Sequence, residues 1–360
     1  MIYTTKSKLP KLNLYIKYLR KIWKNNIITN NGKFLKKLEE VLKKRFYSKN
    51  INVVCNGTIA LQLALKALNV KNEVITTPYS YVATANVLKW ENCTPVFVDI
   101  NRHDLCINAD LIEKYINKKT SAILATHVYG IPCDILKIKK IAQKHKLKVI
   151  YDASHCFGVN YKYKPLFTQG DASTLSFHAT KVFHTAEGGA VYMKNIKNNI
   201  KVNLFKSFGH VGELKYYDVG INGKMSELHA ALGLASIKNL SFAKEKRKVL
   251  FNKYYQKFIK NDNLELITIP KDLDYNFSYF PILLKNKKKM LNLKKKLLEK
   301  NISVRRYFYP SLDTLKFLNA NPKNDCPVSQ DISARILCLP IYQDLKIKDQ
   351  SKIIKIVNNI

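Results

Sequence analysis

From Ile51 to Asp152 short apolar runs alternate with helical patterns, and this alternation restricts the fold more than any other feature of the chain. Ile51–Cys55, Glu73–Thr77, Pro95–Val98, Ser121–Thr126 and Lys148–Asp152 have strand character. Between them, Ile59–Leu68, Tyr81–Trp90, Ala109–Tyr115 and Cys133–His145 carry apolar residues at helical spacing. Strands separated each time by a helix do not pair as hairpins. They pair in parallel through crossovers, in a sheet covered on both faces. The fold class is therefore α/β. Ligands of such sheets sit beyond the carboxyl ends of the strands. Thr58, Tyr81, His127 and Asp152 stand at or just after such ends, where one cleft would collect them.

Two amphipathic helices, Leu12–Trp23 and Gly32–Arg45, precede the alternation, and a long apolar helix, Met225–Leu240, follows it. The pattern then changes to a basic helix at Lys244–Lys260, a strand at Phe277–Leu284 and a helix at Lys287–Lys300. A strand-like run at Ile302–Tyr309 and a terminal helix complete it. This predicts a large domain over 1–238 and a smaller α+β domain over 239–360.

The chain has 360 residues, with 62 basic against 26 acidic side chains and a formal charge of +36. Such an excess raises the question of nucleic acid. The densest lysine runs, Lys287–Lys289 and Lys294–Lys296, lie on an amphipathic helix and lack the interleaved aromatics of a single-strand binding surface. No nucleic-acid partner is expected. No apolar run reaches the length of a membrane span, and the first residues lack a signal-peptide pattern. The seven cysteines show no paired metal-type spacing, so no metal site is expected. These features point to a cytoplasmic protein with reduced thiols.

Between two strand-like runs, Ala172–Ser176 and Gly189–Met193, lies a single lysine, Lys181. Burial there would lower its ammonium pKa and leave a neutral amine, the nucleophile that attacks carbonyl carbons. Asp152 ends an apolar strand, where a buried carboxylate needs a cation such as a protonated pyridine nitrogen; it would also serve as a plain helix cap. Asn56-Gly57-Thr58 turns from strand into helix, which suits an anion at the helix start and equally an ordinary turn. Tyr81 would stack on a flat ring or pack in the core, Ser176 would offer a hydroxyl to a phosphate or cap a turn, and His155 would cover a ring or simply pack.

Taken together, the motifs N-G-T, T-P-Y-S-Y-V-A-T, Y-D-A-S-H-C-F-G, S-F-H-A-T-K with E-G-G, and G-I-N-G-K-M-S-E-L-H-A-A-L-G resemble those of the DegT-type nucleotide-sugar aminotransferases. The resemblance runs from about Leu9 to Tyr342 and implies the fold type I architecture of pyridoxal phosphate enzymes. Within the family the chain is most similar to enzymes that make dTDP-4-amino-4,6-dideoxyglucose.

The resemblance implies a role for each matching position. Lys181 matches the lysine that bonds pyridoxal 5'-phosphate and shuttles the proton, and Asp152 matches the acid on the ring nitrogen. His155 falls near the ring hydroxyl and Tyr81 on the ring face. Gly57, Thr58 and Ser176 match phosphate ligands, and Asn222 matches a phosphate contact from the other subunit, which implies a homodimer. Lys224, Arg306 and Tyr309 occupy segments that meet the nucleotide sugar, or are an exposed basic pair and a core tyrosine. In the family's dehydratase branch a histidine replaces the lysine. Lys181 therefore implies transamination, with L-glutamate giving 2-oxoglutarate and leaving pyridoxamine 5'-phosphate. The implied acceptor is a dTDP-linked 4-keto-6-deoxyglucose, on the way to a surface polysaccharide such as O-antigen or capsule. The alternatives are the 3-keto isomer, a UDP or GDP keto sugar, or a non-catalytic homologue that only binds cofactor.

Overall fold

Successive residues of a strand face opposite ways, and the central strands put apolar side chains on both sides. In the computed structural model, which describes residues 1–318 and 325–360, Val74, Leu124 and Ile150 pack in one cluster, while Ile75, Ile123, Val149 and Tyr151 pack in another. The two clusters are the two faces of one sheet. Its seven strands are β1 (Ile51–Val54), β2 (Glu73–Thr76), β3 (Thr94–Phe97), β4 (Thr120–Thr126), β5 (Lys148–Asp152), β6 (Ala172–Ser176) and β7 (Gly189–Met193). They lie in the order β1-β7-β6-β5-β4-β2-β3. Only β7 runs antiparallel to its neighbours. The carboxyl ends of β1, β2, β4, β5 and β6 therefore share one edge.

The expected alternation is present with shifted bounds. The helix expected from Tyr81 is Ala83–Trp90, leaving Tyr81 ahead of it. The expected helix Ala109–Tyr115 is one α turn followed by one 3-10 turn. The long apolar helix is Glu227–Ser236, and a 3-10 turn at Ile237–Asn239 separates it from the helix Leu240–Phe258. Beyond it, strands β8 (Leu264–Leu266), β9 (Phe280–Leu284) and β10 (Ile336–Leu339) form a separate antiparallel sheet. The chain's first residues join this C-terminal part: the Ile2 N–H donates to the Asn301 carbonyl and the Ile341 N–H to the Thr4 carbonyl. Ile302–Tyr309 is not a strand. It makes isolated bridges at Ile302 and Arg305 and then turns. Among the described residues no helix is long and apolar enough to cross a membrane.

One buried carboxylate ties the N-terminal helices to the rest. Glu227, 2% exposed, accepts from the N–H groups of Phe34 at 2.8 Å and Leu35 at 2.7 Å, in the first turn of the helix Lys33–Arg45. It takes the place of a capping side chain, and glycine suits the cap position 32 because a Cβ there would lie 2.5 Å from the Glu227 carboxyl carbon. Glu227→Ala would strand two buried donors and leave a void. We expect it to destabilise the protein by about 2–4 kcal/mol in urea unfolding, with Glu227→Gln costing less because its carbonyl oxygen still accepts.

Candidate active site

The shared strand edge opens into a cleft of about 360 Å³. At one end the helix Gly57–Ala67 starts directly after β1. The Asn56 side chain accepts from the Ile59 N–H at 2.8 Å, so the N–H groups of Gly57 and Thr58 have no acceptor inside the helix. Both residues line the cleft beside Ser176 at the end of β6. The Ser176 hydroxyl oxygen accepts from the His178 N–H at 3.3 Å, which leaves its own proton to donate. A Cβ on Gly57 would come within 2.9 Å of the Ser176 Cβ, so glycine lets the helix start close against the serine. Two amides, a hydroxyl and the positive end of a helix make an anion cradle.

Asp152, 5% exposed, ends β5. One oxygen accepts from the Ser154 N–H at 3.0 Å and the other from the Thr84 hydroxyl at 2.7 Å. His155 follows on the same turn. Its Nδ1 accepts from the Tyr129 N–H at 3.0 Å, and burial, with the nearby Lys181 ammonium, holds the imidazole well below its usual pKa. The ring is neutral, and its remaining proton is on Nε2.

Lys181 sits in the connection between β6 and β7. Phe177 and Phe183, both buried, pack edge to face at 4.9 Å, and Phe183 stacks on Phe157 at 4.4 Å. These rings anchor the loop on either side of the lysine. Desolvation lowers the Lys181 ammonium from its ordinary 10.5 to about 8, against the opposing pull of Asp152 and Cys156.

The cleft thus brings together Gly57, Thr58, Tyr81, Asp152, His155, Ser176 and Lys181. Tyr81 is 63% exposed on its wall. His127 is not among the lining residues. It is fully buried, stacked on Tyr151 at 4.4 Å, with Nδ1 accepting from the Cys133 N–H and burial pushing its pKa down to about 3. Asn222 and Lys224 lie outside this chain's cleft, with the Lys224 ammonium donating to the Asn222 side-chain oxygen at 2.8 Å. Arg306 and Tyr309 are outside it too: the guanidinium donates to the carbonyls of Ser333 and Ala334 and lies 3.3 Å over the Tyr309 ring. Arg305 lines the cleft instead, with Tyr307 and Phe308. Nothing local in the sequence distinguishes Arg305 from Arg306, since adjacent residues face opposite ways and either could face in. Ser80 and Thr126 also line the cleft, as hydroxyls rather than as charged groups, and carry no sequence signal that sets them apart.

The DegT/DnrJ/EryC1/StrS aminotransferase family matches residues 13–358. The chain belongs to this family. It is 41% identical to the dTDP-4-amino-4,6-dideoxy-D-glucose transaminase of Shigella dysenteriae, covering 96% of this chain and 95% of that one. It is 39% identical to the Escherichia coli protein of the same name, over 98% and 97% of the two chains. Among solved structures, Helicobacter pylori PseC, an aminotransferase involved in the biosynthesis of pseudoaminic acid, superposes with a TM-score of 0.91. It is 28% identical, covering 99% of this chain and 98% of that one. The protein is an aminotransferase, and its mostly parallel sheet with flanking helices is the architecture of this family's enzymes.

Proposed function

We propose that this aminotransferase moves the amino group of L-glutamate onto the keto carbon of dTDP-4-keto-6-deoxyglucose, giving dTDP-4-amino-4,6-dideoxyglucose for a surface polysaccharide. The observation that carries this reading is the near-40% identity, over almost the full length, to two transaminases named for that product. A cytoplasmic homodimer is part of the proposal, with Asn222, exposed and outside its own cleft, reaching the anion cradle of a second copy.

The residues present fit pyridoxal 5'-phosphate. The cradle of Gly57, Thr58 and Ser176 suits its phosphate, Asp152 its ring nitrogen, the Nε2–H of neutral His155 its ring hydroxyl, Tyr81 its face and the Lys181 amine its aldehyde. Bound there, the cofactor supplies a carbonyl that takes up the amino group and an electron-poor ring that stabilises charge on the carbon losing a proton. The protein's own part is positional and acid–base. Lys181, once its amine is free, would carry the proton between the substrate carbon and the cofactor carbon bearing the nitrogen, and a pKa near 8 suits both directions. Asp152 holds positive charge at the ring nitrogen. Tyr81 and Phe308 line the walls of the cleft in which these transfers would take place.

The test is direct. Purified protein loaded with cofactor is given glutamate and either the 4-keto or the 3-keto dTDP sugar, and the aminosugar is identified by NMR. Amination of the 4-keto sugar is expected. Amination of only the 3-keto isomer, or, in parallel reactions with UDP and GDP keto sugars, of only one of those, would move the assignment to that substrate, and no half-reaction with glutamate would end it.

A further inference from the structure

Three buried hydroxyls run in a single line to the Asp152 carboxylate. Thr84 Oγ1 donates to Asp152 Oδ2 at 2.7 Å, Ser80 Oγ lies 2.8 Å from Thr84 Oγ1, and Thr126 Oγ1 lies 2.9 Å from Ser80 Oγ. An ionised carboxylate only accepts, so its bond to Thr84 sets the direction of all the others. The single Thr84 proton goes to Asp152; Thr84 must then accept from Ser80, and Ser80 from Thr126. Exposures of 0% for Thr84, 2% for Ser80 and 3% for Thr126 leave the line nearly closed off, with Ser80 and Thr126 reaching solvent only at the cleft. The line crosses three elements: the end of β4, the segment entering the helix Ala83–Trp90, and the end of β5. Aligned hydroxyl dipoles in a medium of low dielectric strengthen one another.

We propose that Thr84, backed by Ser80 and Thr126, is a positioning residue that fixes the orientation of the Asp152 carboxylate toward a cationic ring nitrogen. This rests on the cofactor site proposed above. The same line ties Tyr81, which lies between Ser80 and Thr84 in sequence, to the acid. One network therefore sets both the wall beside the ring and the charge at its edge. The titratable groups facing Asp152 are Lys181 across the cleft and Cys156 on its own turn. The hydroxyls themselves carry no charge, so replacing one changes the hydrogen bond and nothing else that titrates.

Thr84→Val keeps the shape and deletes the donor, whereas Thr84→Ser keeps the donor. The holoenzymes are compared by the pH midpoint of the visible cofactor band and by the cofactor dissociation constant after dialysis, with melting of the apoproteins as the folding control. A carboxylate no longer held by Thr84 would pair less well with the ring nitrogen, which is then less often charged, and a weaker ring charge lets the nitrogen of Lys181 hold its proton to higher pH. Thr84→Val is therefore expected to raise the midpoint by about half a unit or more and to weaken cofactor retention roughly tenfold. Thr84→Ser is expected to restore both, and Ser80→Ala to give a smaller shift of the same sign. An unchanged midpoint and retention in Thr84→Val, or a Thr84→Ser protein as perturbed as the valine variant, overturns the proposal. If Thr84→Val does not fold, Ser80→Ala decides: an unshifted midpoint overturns it, and a raised one supports it. A wild-type protein with no visible band would instead overturn the cofactor reading itself.

Discussion

Lys181→Ala protein is expected to retain cofactor without a covalent bond and to lose at least about four orders of magnitude in turnover. Two functions leave with one side chain: the amine that bonds the cofactor's carbonyl, and the base that carries the proton. Among the described residues no other lysine lines the cleft. Borohydride treatment followed by peptide mass analysis should find the label on Lys181 in the wild type and nowhere in the variant. Residual turnover within tenfold of wild type would sink the assignment. The same side chain predicts a pH dependence whose sign is fixed. Burial lowers its ammonium from 10.5 to about 8, so cofactor loading should climb roughly tenfold per unit up to about pH 8 and level off above it. Folding stability follows from the same shift. Between about 8 and 10.5 the unfolded lysine still holds the proton that the folded one has released, so the apoprotein gains stability as pH rises through that window. Below it the folded chain keeps the full cost of a desolvated ammonium. Lys181→Ala should remove that slope, which a pH series of melting curves would read independently of activity.

Much of this arrangement is legible in the sequence because it is local. The parallel sheet can be read because strands buried on both faces spell continuous apolar runs, as Lys148–Asp152 does with its single polar entry and its terminal acid. Gly57, Thr58, Ser176 and Lys181 stand in short motifs at strand ends, so knowing the sheet is enough to place them near one edge. What could not be read depends on contacts between distant residues. Thr84 and Asp152 are 68 residues apart, and Glu227 caps a helix whose first turn lies 193 positions earlier. Nothing near Thr84 marks it as different from a threonine satisfied in a helix's first turn. Ile302–Tyr309 misled for a related reason. Its β-branched and aromatic residues suit a strand, but among the described residues it makes only isolated bridges, at Ile302 and Arg305, while the Ser303 and Tyr307 carbonyls accept from the side chains of Thr4 and Tyr79, so no ladder forms. His127 shows the converse. It stands at a strand end as expected, yet the stack on Tyr151 draws its ring beneath the cleft floor.

Asp152→Asn is expected to fold, to keep glutamate affinity within a few-fold, and to turn over about a thousand-fold more slowly, a loss of about 4 kcal/mol in transition-state stabilisation. The amide is nearly isosteric with the carboxylate, and its oxygen can still accept from Ser154 or Thr84, so the packing around β5 has little reason to change. What changes is charge. A neutral partner no longer holds a proton on a pyridine nitrogen, and the ring then draws electrons too weakly to stabilise the carbon that loses its proton. Binding of glutamate does not need that electron sink, so the loss should fall on kcat rather than KM. A cofactor methylated at its ring nitrogen carries a permanent positive charge and separates this account from a collapsed site. With Asp152→Asn it should recover a substantial part of the lost rate, because the charge no longer depends on the protein. Failure of the methylated cofactor to help, in a variant whose melting curve matches wild type, would mean that Asp152 acts by shape rather than by charge. In that case the hydroxyl line from Thr126 to Thr84 would be holding a wall of the cleft and not an anion.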